Sequence, residues 1–279
     1  VLENIKTSWK LGLFSYKFLF KHSILLVLPL LSASCFTGSL LLLYKTSHLT
    51  NKILDLALLT IIAYYIAIFL SIFFNVMAIS MINSYLRNNK NFSLFDAFKV
   101  ALSRLGPIAM WAVVSGFIGL VIRVLDYIGE RVGINIISWI LDITWSISTY
   151  FVVPLICFDP AINPITLIKK SVSTFKNLYG ELKSLFKVIG AGMVTLFLAM
   201  PIYVLVTIAA NSREPDIANI LYMISGIMTI LLLYCASIAN NVLLTMFYMI
   251  ASEGSLLQDV NIDKDLLNKA LVKHKSLLG

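Results

Sequence analysis

Six apolar runs, each long enough to cross a bilayer, constrain this chain more than anything else in its sequence: Ser23 to Tyr44, Leu54 to Leu86, Ile108 to Tyr127, Ile134 to Phe158, Phe186 to Ala210 and Ile217 to Ile250. A hydrocarbon core about 30 Å thick takes roughly 20 residues of α-helix. A soluble domain of 279 residues buries one good core and has no room for six such runs. Backbone amides in lipid must be satisfied within their own segment, which selects helices. The expected fold class is therefore all-α: a polytopic membrane helix bundle of six transmembrane helices, one integral membrane domain over residues 1–279. Only 13% of the residues are charged, against roughly a quarter in soluble domains, which fits that reading.

The basic residues orient the bundle. With the N-terminus inside, seventeen Lys and Arg fall on one side and five on the other. The positive-inside rule then puts both termini in the cytoplasm and the protein in the cytoplasmic (inner) membrane. The net charge of +8 accordingly reads as contact with membrane lipids through anionic inner-leaflet head groups, and not with nucleic acid.

Four inner segments look amphipathic. Lys6, Lys10, Lys17 and Lys21 are spaced 4, 7 and 4 apart, so at 100° per residue they share one narrow helical stripe suited to lipid head groups. Ser93 with Asp96 three residues on is a capping-box signature. It opens a helix whose apolar side is Leu94, Phe95, Phe98, Ala101, Leu102 and Leu105, expected to end at Gly106-Pro107. After Pro160 and Pro164, Leu167, Ile168, Val172, Phe175 and Leu178 oppose Lys169, Lys170 and Lys176. Residues 262–278 form the fourth, with Asp263 and Asp265 in the first turn and Lys269, Lys273 and Lys275 in the last. The alternation reads as a threefold hairpin repeat over 1–86, 87–158 and 159–254. Asn75-Val76-Met77 near the inner end of the second run echoes Asn241-Val242-Leu243 near that of the sixth.

Chemistry-bearing residues are few. Arg123 and Asp142 are ionisable and lie within the third and fourth runs, where charge is costly and marks either a structural pair or a solute or proton path. Their helices are joined by a short turn, so a salt bridge between them is expected to lock the hairpin, with a solute site as the alternative. Asn75, Asn240 and Asn241 sit near the inner interface and are expected to bridge helices by hydrogen bonds or, alternatively, to line a binding site. Pro201, with Gly190 and Gly192 before it, predicts a kink and a close helix contact. Cys35, Cys157 and Cys235 are far apart in apolar stretches and read as buried packing residues. His22, His48 and His274 are isolated, and no zinc motif, nucleophile elbow or phosphate loop is present. The chain is thus expected to be neither an enzyme nor the holder of a cofactor or metal.

The stretch Ile62 to Phe69 with Phe73-Phe74-Asn75, the run Asp96 to Leu105 leading into Trp111-Ala112, Gly119 to Arg123, Trp145, Tyr150 to Pro154 and Lys169-Lys170-Ser171 before Gly180-Glu181 together resemble an uncharacterised multi-span family of prokaryotic membrane proteins, classed only as a domain of unknown function. Ser8-Trp9-Lys10, Leu28-Pro29-Leu30 and Tyr248 to Ala251 with Gly254 extend the resemblance over most of the chain. It implies six spans and no known activity. Asp142 stands where it implies a small residue. A more distant similarity, to membrane domains attached to glycerophosphodiester phosphodiesterases, implies a lipid-facing accessory role. Two functional classes stay open: a non-enzymatic lipid-interacting membrane component or scaffold, and a small-solute or lipid transporter or channel.

Overall fold

The computed structural model describes residues 2–47, 53–87, 89, 92–132, 136–159, 163–179, 190–212 and 214–253. The expected amphipathic helix over 262–278 lies outside them. The described elements are α1 (Leu2–Lys21), a 3-10 turn (Ser23–Leu26), α2 (Val27–Ser47), α3 (Ile53–Leu86), α4 (Leu94–Ser103), α5 (Leu105–Val132), α6 (Ile136–Thr149), α7 (Val152–Phe158), α8 (Pro164–Tyr179), α9 (Gly190–Asn211) and α10 (Pro215–Glu253). Among the described residues there is no strand. Among the described residues five stretches are long and apolar enough to span a membrane: Leu58–Leu86, Leu105–Arg131, Ser138–Phe158, Gly192–Asn211 and Pro215–Ser252. The bent pair Ser8–Lys21 and Ser23–Cys35, counted as one, brings the number to six. The protein is an all-α polytopic membrane bundle.

The chain divides into two compact units, Val1–Leu26 with Tyr179–Gly279, and Val27–Leu178. In the first, α9 and α10 form a hairpin and α1 packs on both. Leu11, Tyr16, Phe18 and Leu19 are buried, and the Tyr16 hydroxyl and Thr195 Oγ1 share a hydrogen bond of 2.7 Å. Trp9 meets Phe197 edge-on at 5.5 Å. So α1, expected to lie on the membrane surface, is also a packed member of its unit.

In the second unit α2 packs on α3, α5 on α3 and α6 on α5, while α4 and α7 also lie against α3. Gly116 is the closest approach: a Cβ there would stand 2.6 Å from Tyr65 Cε1 and 3.0 Å from Ile68 Cδ1. The Tyr64 hydroxyl donates to the Gly116 carbonyl at 3.4 Å. Gly192, where a close contact was expected, has open space around it. Cys157 is buried as expected, Cys235 is partly buried and Cys35 is exposed, because it falls in a stretch of α2, Ala33 to Cys35, that faces away from protein.

Helix α4 starts as its sequence requires. The Asp96 amide donates to Ser93 Oγ at 3.2 Å and the Ser93 amide donates to Asp96 Oδ2 at 3.0 Å, which satisfies two of the donors a helix start leaves free. It ends at Ser103 with Arg104 as its cap. Gly106 and Pro107, expected to stop it, instead lie in the first turn of α5. A proline is tolerated there because the amide it lacks would have no intrahelical partner. Hydrogen bonds from the Ser93 backbone amide and hydroxyl hold the Asp96 carboxyl below its ordinary value. That interaction is complete above the ordinary carboxylate range and is lost as pH falls through the lowered folded value. The protection of the amides from Ser93 to Ala97, relative to their intrinsic exchange rate at the same pH, is therefore expected to fall in acid, and in Asp96→Asn at neutral pH. Equal protection in wild type and variant at neutral pH would refute this.

At 1.5 Å per residue α3 is about 51 Å long and α10 about 58 Å, well beyond the roughly 30 Å hydrocarbon core. Their two ends differ. The stretches from Ile72 to Ile82 and from Ile238 to Ile250 are largely buried, whereas Leu58, Ile61 and Ile62 on α3 and Ile220, Met223, Ile227 and Leu231 on α10 are exposed. The switch occurs in matching sequence: Ser71-Ile72-Phe73-Phe74-Asn75-Val76 and Ser237-Ile238-Ala239-Asn240-Asn241-Val242. In both, the Ser is exposed, the Ile buried, the second Asn position half-buried and the Val buried.

Candidate functional site

The ionisable pair is placed by a tryptophan stack. Trp111 of α5 and Trp145 of α6 lie face to face, 5.7 Å between centroids and 13° between planes, and this fixes the register of the α5–α6 hairpin. Arg123 is twelve residues beyond Trp111 and Asp142 three before Trp145. They therefore stand about 18 Å and 5 Å from the stack, both toward the α5–α6 connection. That leaves about 13 Å between them along the helix axes. Both side chains are exposed, and among the described residues no ion pair joins them. The hairpin is held by aromatic stacking instead. Asp126, Glu130 and Arg131 occupy the last turns of α5, where Arg131 donates to the Tyr127 hydroxyl and stands over its ring.

Asp142 is part of a stripe. At 100° per residue Ser138, Asp142, Trp145, Ser146 and Thr149 fall on one side of α6, while Ile140, Ile143 and Ile147 form an exposed apolar face. A transmembrane helix facing lipid has no use for such a stripe, because a carboxylate in hydrocarbon is costly.

The same span is interrupted. Between α6 and α7, within the single stretch Ser138–Phe158, regular helix lapses at Tyr150-Phe151. The cause is Pro154, which has no amide to give to the Tyr150 carbonyl and whose ring collides with that carbonyl in a continuous helix. Phe151, fully buried, keeps its amide satisfied by donating to Ser171 Oγ of α8 at 3.1 Å. Phe175 meets Tyr150 and Phe151 at 6.0 and 6.4 Å. Through this bond α8 is tied to the start of α7. Lys170 Nζ and Asp159 Oδ2 meet at 2.5 Å. The Tyr150 hydroxyl is buried with no hydrogen-bond partner among the described residues. The break was not foreseen from the sequence, and Pro154 was its signal. Pro201 behaves differently: α9 continues through it.

Lys10, Lys17 and Lys21 are exposed on α1. Lys6 belongs to the same helix, and its side chain lies outside the described residues. They share their side of the helix with exposed Leu13 and Phe20, opposite buried Leu11, Ser15 and Leu19. Asn75 and Asn241 are half-buried at the points where α3 and α10 enter their buried blocks, and Asn240 is exposed. Among the described residues no group of His, Cys, Asp and Glu is arranged to hold a metal ion.

Residues 55–256, most of the chain, match a family described as a family of unknown function (DUF6159). The chain belongs to this family. No curated protein and no solved structure matches it. The matched region runs from the start of α3 to just beyond the end of α10, so the tryptophan stack, the break at Tyr150-Phe151 and the buried blocks all lie within it, while α1 and its lysines lie outside.

Proposed function

We propose that this protein is a non-enzymatic component of the cytoplasmic membrane, both termini inside, whose basic inner face binds anionic lipid head groups and organises the leaflet around it. The observation that carries this reading is α1: one side is committed to its own unit, while Lys10, Lys17 and Lys21 stay exposed beside Leu13 and Phe20. An apolar flank with a row of ammonium groups is the composition of an interfacial helix. Each basic residue near an anionic surface contributes about 1 kcal/mol, so three act together measurably. The full-length protein, reconstituted in nanodiscs of mixed phosphatidylglycerol and phosphatidylcholine, is expected to retain phosphatidylglycerol preferentially on extraction. Combined Lys10→Gln, Lys17→Gln and Lys21→Gln substitution is expected to reduce that preference several-fold. A lipid complement that mirrors the bulk mixture in the wild type would overturn the reading.

A second reading, a transporter or channel for a small solute or lipid, is favoured by the polar stripe around Asp142 together with the helix break below it. Transporters build substrate sites from discontinuous helices and intramembrane carboxylates. Flux in proteoliposomes, screened over ions, small metabolites and labelled phospholipids, is expected on this reading to be present in the wild type and lost in Asp142→Asn. Absence of flux for every class tested would sink it.

A further inference from the structure

Helix α4 carries a lipid contact of its own. Its protein-facing side is Ala97 and Ala101, both fully buried, and their small size lets α4 lie close against α3. On the far side, Phe95, Phe98 and Leu102 fall within about 60° of one another and are 62, 39 and 42% exposed. Phe98 touches Phe73 edge-on at 5.8 Å, and Phe95 meets the ammonium of Lys99, 4.5 Å from its ring centroid. Arg104 caps the C-terminal end, half-buried. Asp96, the acidic residue of the helix, is engaged with Ser93. A short amphipathic helix thus leaves Phe95 and Leu102 exposed, with Phe98 at the edge of the stripe against Phe73.

What covers that side follows from connectivity. The residue after Arg104 is Leu105, where the spanning segment of α5 begins, so α4 is tethered at the membrane surface. On α5 itself Met110, Val113 and Phe117 share one side and are exposed. The α4 stripe thus stands where a spanning helix begins, with the Lys99 ammonium beside it, which is the composition of an interfacial helix.

We propose that α4 is an interfacial helix that seats Phe95, Phe98 and Leu102 among the acyl chains and binds an anionic glycerophospholipid, with Lys99 facing its phosphate. This rests on the lipid-contacting reading above and adds a site that reading does not contain. The test places a photo-crosslinking benzoylphenylalanine at Phe95 in the full chain, reconstituted in vesicles of phosphatidylglycerol and phosphatidylcholine in equal parts. Illumination is expected to give a lipid adduct by mass, mainly phosphatidylglycerol, and Lys99→Gln is expected to lower the ratio of phosphatidylglycerol to phosphatidylcholine adducts about threefold, toward the one-to-one of the bulk. The same probe at buried Phe151 is the control and is expected to give none. A protein adduct, whether to a second copy or to another chain, or no adduct at all, would overturn the site. Total phosphatidylglycerol retained by the protein is measured in the same samples. If it stays enriched while Phe95 gives no lipid adduct, the α4 site fails and the broader reading stands; if enrichment is absent throughout, the broader reading fails first.

Discussion

Phe151→Ala is expected to destabilise the protein by about 3–5 kcal/mol, the usual range for deleting a fully buried phenylalanine ring. Phe151 is completely buried at the break between α6 and α7, its ring lying 4.9 Å from that of Tyr150 and 6.4 Å from that of Phe175. An alanine leaves a cavity where the start of α7 and the Tyr150 and Phe175 rings meet. The companion variant Ser171→Ala removes the acceptor of the Phe151 amide. It is expected to cost about 1–3 kcal/mol, the penalty for leaving a buried donor without a partner. Denaturation of the purified protein in mild detergent, followed by circular dichroism, measures both. Values within about 0.5 kcal/mol of wild type, the range of an unimportant surface change, would mean that α8 does not secure the break.

Gly116→Leu comes next, with an expected loss of about 1–3 kcal/mol from overpacking. Even the first atom of the new side chain falls 2.6 Å from the Tyr65 ring and 3.0 Å from Ile68. The α3–α5 crossing must open, since an exposed Tyr side chain could swing aside but this one is half-buried between two helices. Gly192→Leu is the matched control. Its site has nothing within 4 Å, so the same substitution is expected to leave stability unchanged in the same assay. Equal effects at the two glycines would show that helix propensity, not the close crossing, governs both.

These two sites mark where local sequence stops being sufficient. Gly116 and Gly192 are each a glycine in an apolar helix, and nothing local separates them. What does is Tyr65, on another helix. Pro154 and Pro201 make the same point. Each frees the carbonyl four residues before it, yet regular helix lapses at Tyr150-Phe151 and runs on through α9, because Ser171 and Phe175 are present to receive the first and the second lies in an exposed stretch. The Arg123–Asp142 bridge was expected from sequence proximity to a short turn. The Trp111–Trp145 stack instead sets a register with the two charges about 13 Å apart.

The apolar runs, the positions of the first three amphipathic segments and the capping box at Ser93 were determined by the sequence itself, and most runs reappear as helices within a few residues of their expected ends. That succeeds because transfer into lipid is a sum over neighbouring residues, and because a cap is closed by side chains three positions apart. The tertiary structure alone decided which glycine is crowded, where regular helix lapses within a span, and which face of α4 meets α3 through two alanines. Those outcomes depend on pairs of residues distant in the chain, and a side chain's burial has no value until its partner helix is in place.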